Sequence, residues 1–490
     1  MTSTIGYPQK LTKRVALDKK EAVERAKKLL VYGDHSRNDR HPVWKDNVAR
    51  YNGDQNVLRA LDNSSDYVAV NLTFSTIVTM IPFITGGGIK FLVEPSSGDA
   101  TKERAVAQRI FLNRLWRSRE FSGGKRLRES ITDSFIYGDG FIEVGFDIVK
   151  KWQRDGFGKK IPTSEQKIID FLVDKVSPWD VWIDPNASEL GNARWYITRY
   201  IMPLKELQAD KRYFNTTDLR SDPDQTLVQG NDMQRVQYTE ESNRLDDFVT
   251  LYDFYDASER LTITFSPQSE LPLRWIEDSA RKLVQVPNHH IPDSPWHMSE
   301  VEVVSSLQDE LNKLRSSMIT YMRRNAVKFL VRTDLLEDEA LEALQSPLAN
   351  MIVPISVDEP LEDVVRVLTP PELHADYYNL NDMMRSEIFE ITGVNEYLRG
   401  TAPNIRRTAT EASIIEGGAN TKIADKLRLV EESAREVGQI ILDIAAEALP
   451  ATDYTELSQF LTGREAEQML AASGEDVYDE TGKQLDTELK

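Results

Sequence analysis

The sequence predicts an α+β chain, and three observations predict it. Two long amphipathic helices, at 299–326 and 369–392, bracket a short insert. Ahead of them, runs between Phe141 and Val286 alternate apolar and polar residues as half-buried strands do. Behind them, 409–449 returns to helical spacing.

The first bracketing helix starts at Ser299 and Glu302, the S-x-x-E capping box in which each side chain covers the other residue's backbone N–H. Val304, Leu307, Leu311, Leu314, Met318 and Tyr321 form one apolar stripe, with Lys313, Arg315, Arg323 and Arg324 mostly off it. The second opens with Thr369, Pro370, Pro371 and Glu372, a capping box with proline where a missing N–H costs nothing. Its stripe is Leu373, Tyr377, Leu380, Met384, Ile388 and Ile391, and Gly393 supplies a left-handed C-terminal cap. The insert reads as strand 327–331, acidic helix 335–344, strand 351–355 and strand 364–368. It is too short to bury its own core and is expected to pair with a neighbouring copy.

Along the chain, 490 residues with 40% hydrophobic and 28% charged residues predict a folded protein of two to four domains. The absence of cysteine excludes disulfides, cysteine-ligated zinc and cysteine nucleophiles, and suits a reducing cytoplasm. The start, with Lys10, Arg14, Lys19 and Lys20 and no apolar run, shows no signal-peptide pattern. A net charge of −19 argues against a surface built to grip phosphates. Two readings of that charge stay open: ordinary solubility, or an acidic channel wall along which a duplex slides.

A charged amphipathic helix begins at Lys19 and leads into 34–41, whose His35, His41 and aspartates match no ligand spacing and read as a polar surface loop. The apolar stretch 66–84 carries Asn71, Thr73, Ser75, Thr76, Thr79 and Pro82, so it reads as a buried helix and no membrane span. Gly86, Gly87 and Gly88 lack the spacing of a phosphate loop and read as a turn into a strand at 89–93. Helices at 102–117 and 127–137 follow, then a strand at 141–146. Asp139, Glu143 and Asp147 invite a two-metal phosphodiesterase reading, but strand spacing holds them too far apart to converge.

The lysine- and glycine-rich run 150–160 makes a hairpin tip. Strands at 168–176, 181–183 and 195–201, a turn at 184–187 and a short helix from Leu204 come next. Residues 220–244 read as a long exposed loop. Strands at 248–253, 261–265, 271–275 and 283–286 form an antiparallel sheet, followed by a loop at 287–292 with solvated His289 and His290. The helix 409–449 is expected to break at Glu416, Gly417, Gly418, Ala419 and Asn420, since paired glycines mark a kink. Its later stripe is Val430, Val437, Ile440, Ile441, Ile444 and Ala445. Asp453 and Glu456 cap a last helix to about Ala472, and the acidic tail 473–490 has the composition of disorder.

After Gly393 come Val394, Asn395, Glu396, Tyr397, Leu398 and Arg399, a loop through Pro403, and Arg406, Arg407, Thr408, Ala409, Thr410, Glu411, Ala412. This order resembles the portal proteins, or head–tail connectors, of tailed bacteriophages: a stem helix, a clip, a second stem helix ending in a G-V-x-x-x-L-like turn, then a kinked helix with the tunnel loop. The likeness extends from about Val68 to Leu449, including Tyr137-Gly138-Asp139-Gly140 and Trp179-Asp180-Val181-Trp182-Ile183-Asp184-Pro185. It implies a wing at 1–297, stem helices at 298–326 and 369–393, a clip at 327–368, more wing with the tunnel helix and loop at 394–428, crown helices at 429–472 and the tail at 473–490. It further implies a DNA-facing loop at Glu416, Gly417, Gly418, Ala419 and Asn420. Asp334, Glu337, Asp338, Glu339 and Glu342 would dock terminase or adaptor, and Arg406 and Arg407 would bridge subunits. The implied protein is a dodecameric ring at one capsid vertex, working with terminase large subunit, major capsid and scaffolding proteins, a head–tail adaptor and double-stranded DNA. It would need no membrane, cofactor or catalytic residue, and would sit in the virion after assembly in the host cytoplasm. A metal-dependent nuclease or phosphatase using the N-terminal carboxylates is the alternative, and a cellular scaffold without DNA a third.

Overall fold

A computed structural model describes residues 19–54, 68–86, 88–94, 99–119, 121–154, 160–222, 247–324, 328–331, 365–368, 375–394 and 409–448. Mixed helix and sheet build it, as the patterning predicts. The chain opens with α1 (Lys19–Asn38) and α2 (Arg40–Asn52). The expected loop at 34–41 is therefore helical on both sides of Asp39. Tertiary partners explain the difference: the Arg37 guanidinium is buried 4.0 Å over the Trp182 ring and donates to the carbonyls of Trp179 (2.9 Å) and Val181 (2.8 Å). His41 lies against Trp44 and Trp179. Burial, then the Arg37 charge, pushes its pKa down to about 4, so this imidazole is neutral near pH 7.

Next comes α3 (Leu72–Thr85), capped by the Asn71 side chain, which accepts from Phe74 N at 2.9 Å. It buries Ile77, Met80, Ile81 and Ile84. Among the described residues no helix is long and apolar enough to cross a membrane. The strand expected at 89–93 does not form. That segment belongs to no sheet, and the Asn113 side chain takes a strand partner's place, accepting from Phe91 N (3.0 Å) and donating to Phe91 O (2.9 Å).

Helices α4 (Asp99–Arg117) and α5 (Gly123–Tyr137) lead into β1 (Asp139–Arg154), paired antiparallel with β2 (Lys160–Val176) from Phe141↔Val176 outward. Two glycines make this passage possible. Gly138 ends α5 with φ +97, and a Cβ there would run into the His297 carbonyl; a Cβ on Gly140 would meet the Ser130 carbonyl. Gly138→Ala is expected to lower stability by about 2–3 kcal/mol, read as a lower urea midpoint at unchanged m-value.

The remaining strands are β3 (Val181–Ile183), β4 (Trp195–Pro203), β5 (Phe248–Asp256), β6 (Leu261–Phe265), β7 (Arg274–Ile276) and β8 (Leu283–Pro287), with the short helix α6 (Leu204–Ala209) after β4. They do not form the single antiparallel sheet read from 248–286. One five-stranded sheet runs β3-β4-β5-β6-β7, whereas β8 joins β1 and β2 as the third strand of another, in the register Gly140↔Val286. Most of the loop expected at 220–244 lies outside the described residues. Of its described start, Arg220 is exposed, but Asp222 is buried and accepts from Thr250 N and the Gln268 amide.

The last elements are α7 (Glu300–Arg324), β9 (Lys328–Val331), β10 (Val365–Leu368), α8 (Ala375–Thr392) and α9 (Ala409–Ala448). The expected break at Glu416, Gly417, Gly418, Ala419 and Asn420 is absent, since α9 is helical throughout. Two glycines cost about 1 kcal/mol each, too little to interrupt a long helix whose later half is packed. That half also crosses the expected wing–crown boundary at 428/429. Val430, Ala434, Val437, Ile440, Ile441 and Ile444 share the main core with Trp44, Met80, Phe111, Phe141 and Val286. A second core lies on the five-stranded sheet, where Ala22, Val23 and Ala26 of α1 meet Trp182, Trp195, Ile263 and Phe265.

Candidate functional site

The two bracketing helices carry the surface of interest. The Ser299–Glu302 capping box is present: Ser299 Oγ accepts from Glu302 N (3.0 Å) and Glu302 Oε1 from Ser299 N (3.1 Å). Arg40 of α2 donates to both Glu302 oxygens (3.1 and 2.8 Å), tying the start of α7 to the N-terminal helices. Val304 and Leu311 are buried against Leu72 and Ile388. Because Ile388 near the end of α8 meets the early part of α7, while β9 and β10 pair antiparallel at the far ends, the two helices run antiparallel. That ribbon is formed by the first and last strands expected of the insert; Asp334, Glu337, Asp338, Glu339 and Glu342 lie outside the described residues, as do Arg406 and Arg407.

A second, polar stripe on α7 has no counterpart in the sequence reading. Gln308, Asn312 and Ser316 are buried and hold 68–72 along the helix: Val68 N donates to Ser316 Oγ (2.9 Å), Val70 N to Asn312 Oδ1 (2.9 Å), and Gln308 Nε2 to Val70 O (2.7 Å). Polar residues four apart beside an apolar stripe were the available signal.

Little of the α8 stripe is covered within one chain. Ile388 is buried and Met384 partly so, but Tyr377, Leu380 and Ile391 are exposed. Beside them stand Tyr378 (53% exposed), Met383 (58%) and, on α7, Met322 (55%). The described helix pair thus exposes several large apolar side chains on α8 and the end of α7.

Beneath it is a charged junction. Lys422 of α9 donates to the carbonyls of Glu390 (2.8 Å) and Ile391 (3.0 Å), the last turn of α8, just before Gly393 turns left-handed at φ +74. Lys426, one turn on, donates to Glu300 (2.7 Å) and Asn288 (2.6 Å), and His289 Nε2 lies 2.9 Å from the same Glu300 carboxylate. Burial works to raise the Glu300 pKa, but the His289 hydrogen bond and the charge and hydrogen bond of Lys426 bring it down to about 2. His289 is thus engaged with Glu300 rather than free in a solvated loop, while His290 is exposed.

The carboxylates of the enzymatic alternative are held elsewhere. Buried Asp139 takes the His297 ring Nδ1 (2.6 Å), the His297 backbone N–H (2.8 Å) and the Gln285 amide (2.7 Å). Burial works to lower the His297 pKa, yet the Asp139 charge and hydrogen bond more than offset it, and the value is raised. His297 also lines a cleft of about 240 Å³ with Gln285 and Ser433. That is no hydrolase triad, since the Ser433 hydroxyl is bonded to the carbonyls of Gln285 (3.1 Å) and Leu429 (3.0 Å). Glu143 is half-buried on β1; burial, then the Asp253 charge, pushes its pKa up to about 7. Four residue steps apart on a strand, Asp139 and Glu143 stand about 13 Å from each other along β1. Among the described residues no group of three or more metal-ligating side chains converges, and the side chain of Asp147 lies outside them.

Compared with protein-family models and with curated proteins, the chain matches none.

Proposed function

We propose that this chain is a ring-forming portal protein: copies assemble about a central channel at one capsid vertex, through which terminase drives double-stranded DNA, and on which tail components dock. The observation that carries the proposal is the set of uncovered apolar side chains on α8, with Tyr378 and Met383, on either flank of its stripe, more than half exposed. In a ring, each helix pair would present that face to the next copy, a head-to-tail contact that closes on itself. The order helix, small insert, helix, long helix supports the same reading, as does a net charge of −19, which suits a wall that lets a duplex slide.

Major capsid and scaffolding proteins, terminase large subunit and a head–tail adaptor are the partners this reading brings, and the virion is its place. The resemblance implies a DNA-facing loop at 416–420, but α9 is helical there, so a loop at these residues is not part of the proposal. No step of covalent chemistry is assigned to the chain.

The test is the mass of the purified protein in solution, with negative-stain images beside it. Wild type is expected as a ring of about 12 copies, and the Tyr378→Glu, Met383→Glu double variant as a folded monomer with an unchanged circular dichroism spectrum, because both positions are exposed in one chain. A wild-type monomer at micromolar concentration, or a variant that still forms rings, would sink the reading.

A further inference from the structure

About one to three turns further along α9 from the charged junction lies a cleft of about 840 Å³ between the end of α3, residues 88–92, α4, α5 and α9. We infer that it is a docking groove for an acidic, amphipathic segment of a partner protein. The inference does not depend on ring formation.

The groove is built, and its floor and rim differ in character. Phe91, Trp116, Leu127, Leu427 and Val430 line it with apolar surface. One wall is the segment 89–94, fixed by the two Asn113 hydrogen bonds and by Phe91, whose ring meets Trp116 edge-on at 5.2 Å. Phe91 also lies so close to Gly438 of α9 that a Cβ there would crowd it. Pinned in this way, the wall holds Leu92 outward, 72% exposed at the mouth. A side chain so placed gains by being covered.

The rim carries Lys90, Arg117 and Arg435, all exposed, against one carboxylate, Glu431. Arg117 is shared with a neighbouring hollow of about 580 Å³ on α4, to which Arg109 and Arg114 also contribute. A cationic band thus borders an apolar floor in a chain of net charge −19. Charge complementarity selects an acidic partner, and the floor selects one with large apolar anchors; a helix or strand carrying Leu or Phe on one side and Asp or Glu beside them meets both demands. Nucleic acid would satisfy the arginines but leave the apolar floor unfilled, so its chemistry fits less well.

The experiment is selection from a random peptide library on the immobilised full-length chain, followed by anisotropy titration of the enriched peptide carrying a fluorophore. Enriched peptides are expected to hold an excess of Asp and Glu and at least two large apolar residues. Affinity should fall about tenfold or more with the exposed-rim variant Lys90→Glu, Arg117→Glu, Arg435→Glu, and likewise with Leu92→Asp, both at an unchanged unfolding midpoint. The inference is overturned by no enrichment, enrichment of basic or neutral sequences, binding that ignores both variants, or a short DNA duplex that displaces the peptide and binds as tightly. Loss of self-association in the rim variant without peptide binding also overturns it, and marks the groove as a contact between copies.

Discussion

Asp139→Ala is expected to destabilise the protein by about 3–5 kcal/mol, because it strands three donors that the carboxylate now satisfies in a buried setting. Those donors are the His297 ring, the His297 backbone N–H and the Gln285 amide, and the carboxylate itself has no solvent exposure. The loss should depend on pH in a definite direction. His297 is raised in the folded state above its ordinary value of 6.5, so the stabilisation from its charge is full below about pH 6.5 and is lost as pH rises through the folded value. Urea unfolding of wild type and variant at pH 6 and at pH 9 measures this. The gap between the two proteins should be wider at the lower pH, and an equal gap at both would show that His297 is neutral in the fold. Asp139→Asn, which keeps the shape but not the charge, should recover part of the loss.

Trp44→Ala is expected to cost about 3–5 kcal/mol by opening a cavity that its surroundings cannot close. Trp44 has no exposed surface and meets Tyr137, Trp179 and Trp296 edge-on, at centroid distances of 6.1, 5.1 and 5.3 Å. Its indole N–H also donates to Tyr137 O at 2.9 Å, at the very turn that Gly138 completes. Trp44→Phe refills most of the volume without the donor, so it should fall between the two. Thermal unfolding followed by tryptophan fluorescence reads all three; a Trp44→Ala midpoint within a degree or two of wild type would mean that the aromatic cluster repacks.

The contrast between what the sequence discloses and what it hides follows from range. The Ser299–Glu302 box and the left-handed Gly393 are local devices, set by residues within one helical turn, and both stand where the sequence places them. The N-terminal stretch misleads because Arg37 among aspartates and histidines looks solvated. Its burial is decided by Trp182, which lies far along the chain. Strand β8 has the right pattern for a sheet, but alternation does not name a partner, and β1 takes it rather than β7. On α8 the apolar stripe is legible, yet the described residues leave Tyr377, Leu380 and Ile391 exposed, because periodicity gives a face and not what covers it. The α9 glycines mislead in the opposite way: a propensity of about 1 kcal/mol is a weak prior against a helix anchored by tertiary contacts.

The composition of the main core has a consequence for how the protein is made. Trp44 stands near the beginning of the chain and Ile441 and Ile444 near its end, yet they close the same cluster. A ribosome delivers residues in order, so the first apolar surfaces of α3 and α4 emerge long before the segment of α9 that covers them. Folding of this body is therefore late and dominated by distant pairings, a topology that slows the search for the native state. During that interval Met80, Phe111 and Trp116 lack their partners from α9. A chain truncated before Val430 would leave that apolar surface uncovered and is expected to be cut by protease faster than the full chain, not to be a shorter version of the same protein.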